Sequence, residues 1–173
     1  MRNGQVLSDA GCGRCPGRGR RPVGGHAGPG PGAGIAVSLQ RASLQELSYG
    51  GRFDAVLTID AIQHIPPEDW PGVLTNLHRA SRPGGLLYLT VHELERHHLQ
   101  QAFASLSARG LPAVWGELAE PDAPGYHYCP GRDQAVDWFG HQGLAIVGEG
   151  FRRENGWGYR HFLLRTGPSS PPS

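Results

Sequence analysis

The chain has 173 residues, of which 38% are hydrophobic and 18% charged, and it contains 27 Gly, 15 Pro and a formal net charge of +1. This length suits one domain with a single core, and the near-neutral charge gives no electrostatic basis for a nucleic acid or an anionic membrane as an obligatory partner. Cys12, Cys15 and Cys129 cannot form a disulfide framework, and without a leader-like pattern or a long apolar run we expect a soluble, cytoplasmic protein.

The first 40 residues are rich in Gly, Pro and Arg. Between Gly11 and Gly34, 14 of 24 residues are Gly or Pro, and no periodic apolar face is present that could offset the entropy of ordering this segment. Cys12 and Cys15 have the spacing of half a zinc site, but no second pair follows, so we predict no metal site. We divide the chain into a damaged or disordered segment (1–40), an α/β core (41–166) and a disordered tail (167–173).

The core begins with a strand followed by a helix. Phe53 to Asp60 is a short run of strand-forming residues, which predicts a parallel-sheet strand buried on both faces. Pro66 and Pro67 then break the chain. The apolar residues that follow recur at helical spacing and form one stripe, namely Trp70, Val73, Leu74, Leu77 and Ala80. The Pro83–Gly85 turn ends this helix.

A second strand and helix follow the first pair. Leu86 to His92 has the composition of a buried strand, and Leu94 to Arg109 predicts a helix that ends at Gly110 and presents Leu99, Phe103 and Leu106 on one face. Strand, helix, strand and helix joined by short connections predict a right-handed βαβ unit.

The last part of the core predicts a helix and an antiparallel pair of strands. Arg132 to Gln142 has a short helical pattern, and Leu144 to Gly148 and Gly156 to Arg165 have strand patterns. The Glu154–Gly156 turn suits a hairpin between the two strands. The predicted fold class is therefore α/β, a Rossmann-like doubly wound, mostly parallel sheet with a C-terminal antiparallel strand pair.

Four motifs in order give this core a family resemblance. They are Phe53-Asp54-Ala55-Val56, Asp60-Ala61-Ile62-Gln63-His64-Ile65, Arg82-Pro83-Gly84-Gly85 and the ending Tyr159-Arg160-His161-Phe162-Leu163-Leu164. In this order they resemble the fourth strand, the loop after it, the turn into the fifth strand and the C-terminal strand of class I S-adenosylmethionine-dependent methyltransferases. The resemblance covers about residues 43–166 and implies methyl transfer from S-adenosylmethionine to a small molecule.

The resemblance also implies where the cofactor binds. Val6 to Gly13 is similar to the family's first strand and Gly-rich turn, where glycine lets the backbone approach the cofactor, and Ser43-Leu44 occupies the place of the acid beside the adenine. The implied cofactor-binding residues are Asp9, Gly11, Gly13, Ser43, Leu44, Asp60 and Ala61. Open α/β sheets bind ligands at the carboxyl ends of their strands, so His64 is the best candidate for a general base, with His92 as the second.

The nucleotide half of the chain departs from the family pattern. No Asp or Glu lies between Asp9 and Arg41, so the carboxylate that would bind the ribose hydroxyls is missing. No second strand is evident either, and only Ile35 to Leu39 has the pattern of a remnant third strand. A shifted reading frame, a lost segment and a divergent relative that does not bind the cofactor all account for this pattern.

Three functions remain open at this level. The first is methyl transfer, which needs mainly proximity and alignment because the sulfonium is already activated. The second is a non-catalytic remnant or interaction scaffold on the same fold. The third is another kind of Rossmann nucleotide-binding domain, which is weaker because Gly11-Cys12-Gly13 lacks a third spaced glycine. Tyr126, His127 and Tyr128 either line a substrate pocket or pack a loop.

Overall fold

A four-stranded mixed sheet organises the computed structural model of this chain, which describes residues 38–118 and 125–167. The helices and strands in chain order are β1 (Phe53–Thr58), α1 (Trp70–Ala80), β2 (Ser81–Leu94), α2 (Arg96–Ala108), β3 (Glu117–Leu118), β4 (His127–Tyr128), α3 (Arg132–His141), β5 (Leu144–Arg153) and β6 (Trp157–Thr166). Single 3₁₀ turns cover Leu44–Glu46, Ile62–His64 and Pro67–Asp69.

The order of strands in the sheet is β1-β2-β6-β5. Strands β1 and β2 are parallel and directly adjacent, with Val56 opposite Leu87 and Thr58 opposite Leu89. Strand β6 runs antiparallel to both of its neighbours, β2 and β5. The predicted α/β class, the βαβ unit and the C-terminal antiparallel pair are confirmed, and a separate two-stranded ladder joins β3 to β4.

One face of the sheet carries the core. The α1 stripe predicted from the sequence is buried throughout, and it packs with Leu87, Leu89 and Phe162 of the sheet. From α3, the Phe139 ring meets that of Phe162 edge to face at 5.0 Å. Apolar burial of this kind contributes about 25 cal/mol per Å² of surface removed from water, so this face holds the helices against the sheet.

The Arg82–Gly85 turn makes the entry into β2 possible. Phe53 pairs with Ser81 but Ala55 pairs with Leu86, so the intervening residues of β2 bulge from the ladder. A Cβ at Gly85 would lie 2.8 Å from the backbone oxygen of Arg82, closer than atoms pack. Glycine at this position is therefore required by the turn, and the Arg82 guanidinium closes it with a salt bridge to Asp54.

The prediction that the first strand is buried on both faces is wrong. In β1, Val56 and Thr58 are buried, whereas Leu57 exposes 39% of its surface and Ile59, just after the strand, exposes 56%. A short apolar run does not reveal whether a second layer covers its other side. In α2, Leu106 is buried but Phe103 is exposed, because this helix packs mainly against the short β3 ladder and not against the large sheet.

The predicted N-terminal strand and Gly-rich turn, Val6 to Gly13, lie outside the described residues. The same holds for the first part of the predicted Ile35–Leu39 strand, while Ser38 and Leu39 are not in a strand. Within the described residues, no helix combines the length and the apolar character that a membrane span requires.

Candidate functional site

Asp60 is fixed at the carboxyl end of β1 in an unusual backbone conformation. Its φ is +52°, a left-handed value that Asp tolerates better than most residues. Its backbone N–H donates to Thr90 Oγ1 at 2.9 Å, and its carboxylate accepts hydrogen bonds from the Gln63 amide and the Tyr159 hydroxyl. Asp60 thus lies just after β1 and is hydrogen-bonded to residues of both β2 and β6.

His64 lies in the 3₁₀ turn that follows Asp60. Its Nδ1 is 3.0 Å from the backbone oxygen of Tyr126. A carbonyl oxygen can only accept a hydrogen bond, so Nδ1 carries the proton, and in the neutral ring the lone pair is on Nε2. The His64 ring also contacts the ring of His127, at a centroid distance of 4.6 Å.

His92 lies at the carboxyl end of β2 and is uncharged near neutral pH. Burial lowers the pKa of His92 to about 4, and the neighbouring imidazole of His127 contributes further to the decrease. Burial also raises the pKa of the Cys129 thiol, to about 12. The thiol is therefore protonated, and its sulfur lies 3.6 Å from His92 Nδ1.

Two aromatic residues of β6 complete the site. Tyr159 pairs with His92 across the sheet, and Trp157 pairs with Leu94. The rings of His92, Trp157 and Tyr159 contact one another, each pair at a centroid distance of 5.4 Å. We use the term edge cluster for Asp60, His64, His92, His127, Trp157 and Tyr159.

The electrostatics of the edge cluster are dominated by one carboxylate. The pKa values of both His92 and His127 are lowered, chiefly by burial, so neither ring opposes a positive ligand at neutral pH. Burial and the hydrogen bond to Asp60 raise the pKa of Tyr159, which keeps its hydroxyl protonated. A negative group surrounded by uncharged rings is an environment that favours a cation.

The structure brings together only part of the predicted site. Asp60 and His64 belong to the edge cluster, and Ala61 is buried between them. Ser43 and Leu44 lie at the start of a 3₁₀ turn that packs on α1, where Asn76 donates to the Leu44 carbonyl at 3.1 Å. Within the described residues no hydrogen bond joins Ser43 or Leu44 to the edge cluster, and Asp9, Gly11 and Gly13 lie outside those residues.

The sequence interpretation missed Thr90 and Trp157 and gave Tyr159 no role in the site. Thr90 reaches the Asp60 N–H because β2 lies beside β1. Trp157 and Tyr159 owe their place to the pairing of β2 with β6, which aligns His92 with Tyr159. The signal available in the sequence was the aromatic alternation of Trp157 and Tyr159 in a predicted strand. Its value depended on knowing which strand would lie beside it.

The comparisons with known proteins agree with the fold. The model of a family described as methyltransferase domain matches residues 15–147. Among the curated proteins, none matches this chain significantly.

Several solved structures are similar to this chain. A S-adenosylmethionine-dependent methyltransferase from Methanosarcina mazei has a TM-score of 0.64 and 13% identity over 80% of this chain and 71% of its own. The 1,6-didemethyltoxoflavin-N1-methyltransferase from Burkholderia thailandensis, solved with 1,6-didemethyltoxoflavin and S-adenosylhomocysteine, has a TM-score of 0.57 and 17% identity over 78% and 52%.

Magnesium protoporphyrin IX methyltransferase from Synechocystis PCC 6803, solved with S-adenosylhomocysteine, has a TM-score of 0.54 and 18% identity over 78% of this chain and 53% of its own. The chain thus spans about half the length of two of these three proteins. At such identities the likeness is one of fold.

Proposed function

This chain belongs to the methyltransferase-domain family, and on that premise we propose that it transfers a methyl group from S-adenosylmethionine to a small-molecule acceptor at the edge cluster. The observation that carries the proposal is the Asp60 carboxylate, fixed at the carboxyl end of β1 among uncharged imidazole and aromatic rings. Open α/β sheets bind ligands at this edge.

The donor set of the described residues fits the cofactor chemically. When bound, S-adenosylmethionine supplies an electrophilic methyl group on a positively charged sulfur. Asp60 supplies the complementary negative charge, and His92 and His127 add no positive charge to oppose it. The other proposed cofactor-binding residues are Ala61, Ser43 and Leu44 in the described part of the chain, and Asp9, Gly11 and Gly13 outside it.

His64 is the proposed general base. Its Nδ1 proton is held by the Tyr126 carbonyl, which leaves Nε2 free to take a proton from an acceptor hydroxyl or N–H. His92 is the weaker candidate, because a ring with a pKa of about 4 is a poor proton acceptor at neutral pH and its Nδ1 already contacts the Cys129 sulfur. We assign His92 the role of an uncharged wall of the site.

Several observations support a small-molecule acceptor and a cytoplasmic location. Two of the similar structures are named for methyltransferases of small molecules. The near-neutral net charge of +1 gives no electrostatic reason to expect nucleic acid as an obligatory partner. Three cysteines suit a reducing compartment, and Cys129 is a free thiol.

A non-catalytic scaffold is the alternative function. The observation that favours it is the lack of any Asp or Glu between Asp9 and Arg41, where the family has the carboxylate that binds the ribose hydroxyls. A domain without that group would keep the fold and lose most of its affinity for the nucleoside.

Calorimetric titration with S-adenosylmethionine and S-adenosylhomocysteine separates these functions. The two ligands share the nucleoside, but only the first carries the sulfonium charge. We expect both ligands to bind the wild-type chain. Asp60→Asn should lower the affinity for S-adenosylmethionine about tenfold and change the affinity for S-adenosylhomocysteine by less than about threefold.

Asp54→Asn is the matched control, since Asp54 lies on β1, at the opposite end from Asp60, and forms a salt bridge with Arg82 away from the edge cluster. Its affinities should equal those of the wild type. Absence of binding by either ligand at millimolar concentration would refute the enzyme and leave the scaffold.

A further inference from the structure

The indole of Trp157 lies at the accessible rim of the edge cluster. It exposes 39% of its surface although it contacts two other rings of the cluster. The plane of the Trp157 ring is nearly perpendicular to those of the His92 and Tyr159 rings, at 82° and 89° respectively. Large aromatic side chains are costly to leave in water, and a flat ligand placed on them removes that surface from solvent.

The carboxylate of Asp60 sets the charge preference of the rim, because it accepts the hydrogen bond of Tyr159 beside the Trp157 indole. Two arginines near the ends of β2 and β6 are already neutralised, because Arg160 binds Glu93 and Arg153 binds Glu95 at 2.9 Å. A carboxylate or phosphate on the acceptor would be repelled by Asp60.

These observations also argue against a saturated acceptor. The walls contributed by His92, Trp157 and Tyr159 are planar rings, and aromatic pairs gain stabilisation beyond the burial of their area. An aliphatic ligand of the same size gains only the burial. Planarity and neutrality of the ligand are therefore both favoured.

We propose that the methyl acceptor is an uncharged, planar aromatic molecule that stacks on Trp157, with its hydroxyl or ring N–H directed toward His64. This inference rests on the proposed methyl transfer and adds the substrate class. Trp157 is the specificity-determining residue in this arrangement, while Tyr159 keeps the adjoining wall in place through its hydrogen bond to Asp60.

The test measures binding of three matched probes to the full chain at pH 7.5 without cofactor, by saturation-transfer NMR titration. The probes are 2-naphthol (neutral and aromatic), 2-naphthoate (anionic and aromatic) and decahydro-2-naphthol (neutral and saturated). We expect 2-naphthol to bind at least about fivefold more tightly than either of the others. Trp157→Leu should lower the affinity for 2-naphthol about five- to tenfold, and Trp157→Phe should restore most of that affinity.

Trp115→Leu is the control. Trp115 is exposed to a similar extent, 44%, and its ring contacts Phe103 of α2. Among the described residues, Trp115 makes no ring contact with the edge cluster. Equal binding of 2-naphthoate and 2-naphthol, equal losses in the two Leu variants, or no binding of 2-naphthol would overturn the inference. Because no turnover is measured, 2-naphthol binding that depends on Trp157 in a chain without methyltransferase activity would count against the proposed function alone.

Discussion

Tyr159 donates a hydrogen bond to the carboxylate of Asp60, although the two residues are 99 positions apart in the sequence. The bond joins β6 to the turn that follows β1, across the intervening strand β2. It also acts on a residue whose backbone is in the left-handed region, where strain persists only when several contacts impose it. Asp60 is thus held by Tyr159, Gln63 and Thr90 together.

Tyr159→Phe tests this restraint. Loss of the hydroxyl should lower the free energy of unfolding by about 1 kcal/mol and reduce kcat/KM for methyl transfer about tenfold, because Asp60 is then free to move. Urea denaturation and a methylation assay measure the two effects. Tyr88→Phe removes an equivalent hydroxyl, bonded to His161 Nδ1 at 2.7 Å. It should lower stability alone, and an equal loss of activity in both variants would contradict the restraint.

His64→Ala tests the proposed base. We expect kcat to fall about 100-fold at pH 7.5, the lower end of the usual contribution of general bases. His78→Ala is the matched variant, because His78 Nδ1 also bonds a backbone carbonyl, that of Gln142 at 2.9 Å, outside the edge cluster. Its kcat should stay within about twofold of the wild type. Comparable kcat values for the His64 variant and the wild type would exclude His64 as the base.

Thr58 carries a buried hydroxyl for which residues 38–118 and 125–167 provide no hydrogen-bond partner. Thr58→Val should raise the free energy of unfolding by about 1 kcal/mol and the Tm by about 2–4 °C, as thermal denaturation would show. Thr90→Val is the opposite case, because Thr90 Oγ1 accepts from the Asp60 N–H. That substitution leaves the Asp60 N–H without its acceptor and should lower the free energy of unfolding by about 1–2 kcal/mol. A stabilised Thr90 variant would show that this hydrogen bond contributes nothing.

The lowered pKa of His92 should make the folded state less stable in acid. A ring whose pKa is lower in the folded chain than in the unfolded chain takes up its proton preferentially on unfolding. Stability is therefore complete above the ordinary histidine value of 6.5 and declines as pH falls toward about 4. His127 acts in the same direction. Urea midpoints from pH 7.5 to 4.5 should fall less steeply for His92→Gln than for the wild type, and parallel curves would refute this origin.

Local patterns predicted most of the folded core. The apolar stripe of α1 follows from helical spacing between a Pro-Pro break and the Arg82–Gly85 turn, and all five of its residues are buried. The β5–β6 hairpin follows from strand patterns separated by a turn, with Gly156 at φ +81°. Such features depend on neighbours in sequence, so periodicity and turn chemistry suffice to predict them.

The site was predictable only in part, because it depends on contacts between distant segments. The position of Asp60 and His64 after a parallel strand was enough to place both beside the carboxyl end of β1, and that they bind a ligand there stays a prediction. The aromatic wall was not predictable, since nothing in Trp157 or Tyr159 indicates that β6 lies between β2 and β5. The exposed side of β1 was missed for the same reason: Leu57 and Ile59 suit a strand with or without a covering layer.

The insertion of β6 between β2 and β5 has a consequence for biosynthesis. The ribosome releases β2 long before residues 157–166, so the nascent chain holds an apolar strand with one open edge until β6 emerges. An unpaired edge that contains Leu87, Leu89 and Val91 is a template for association with other chains. Chaperone dependence of this protein should therefore concentrate in the interval between synthesis of β2 and synthesis of β6.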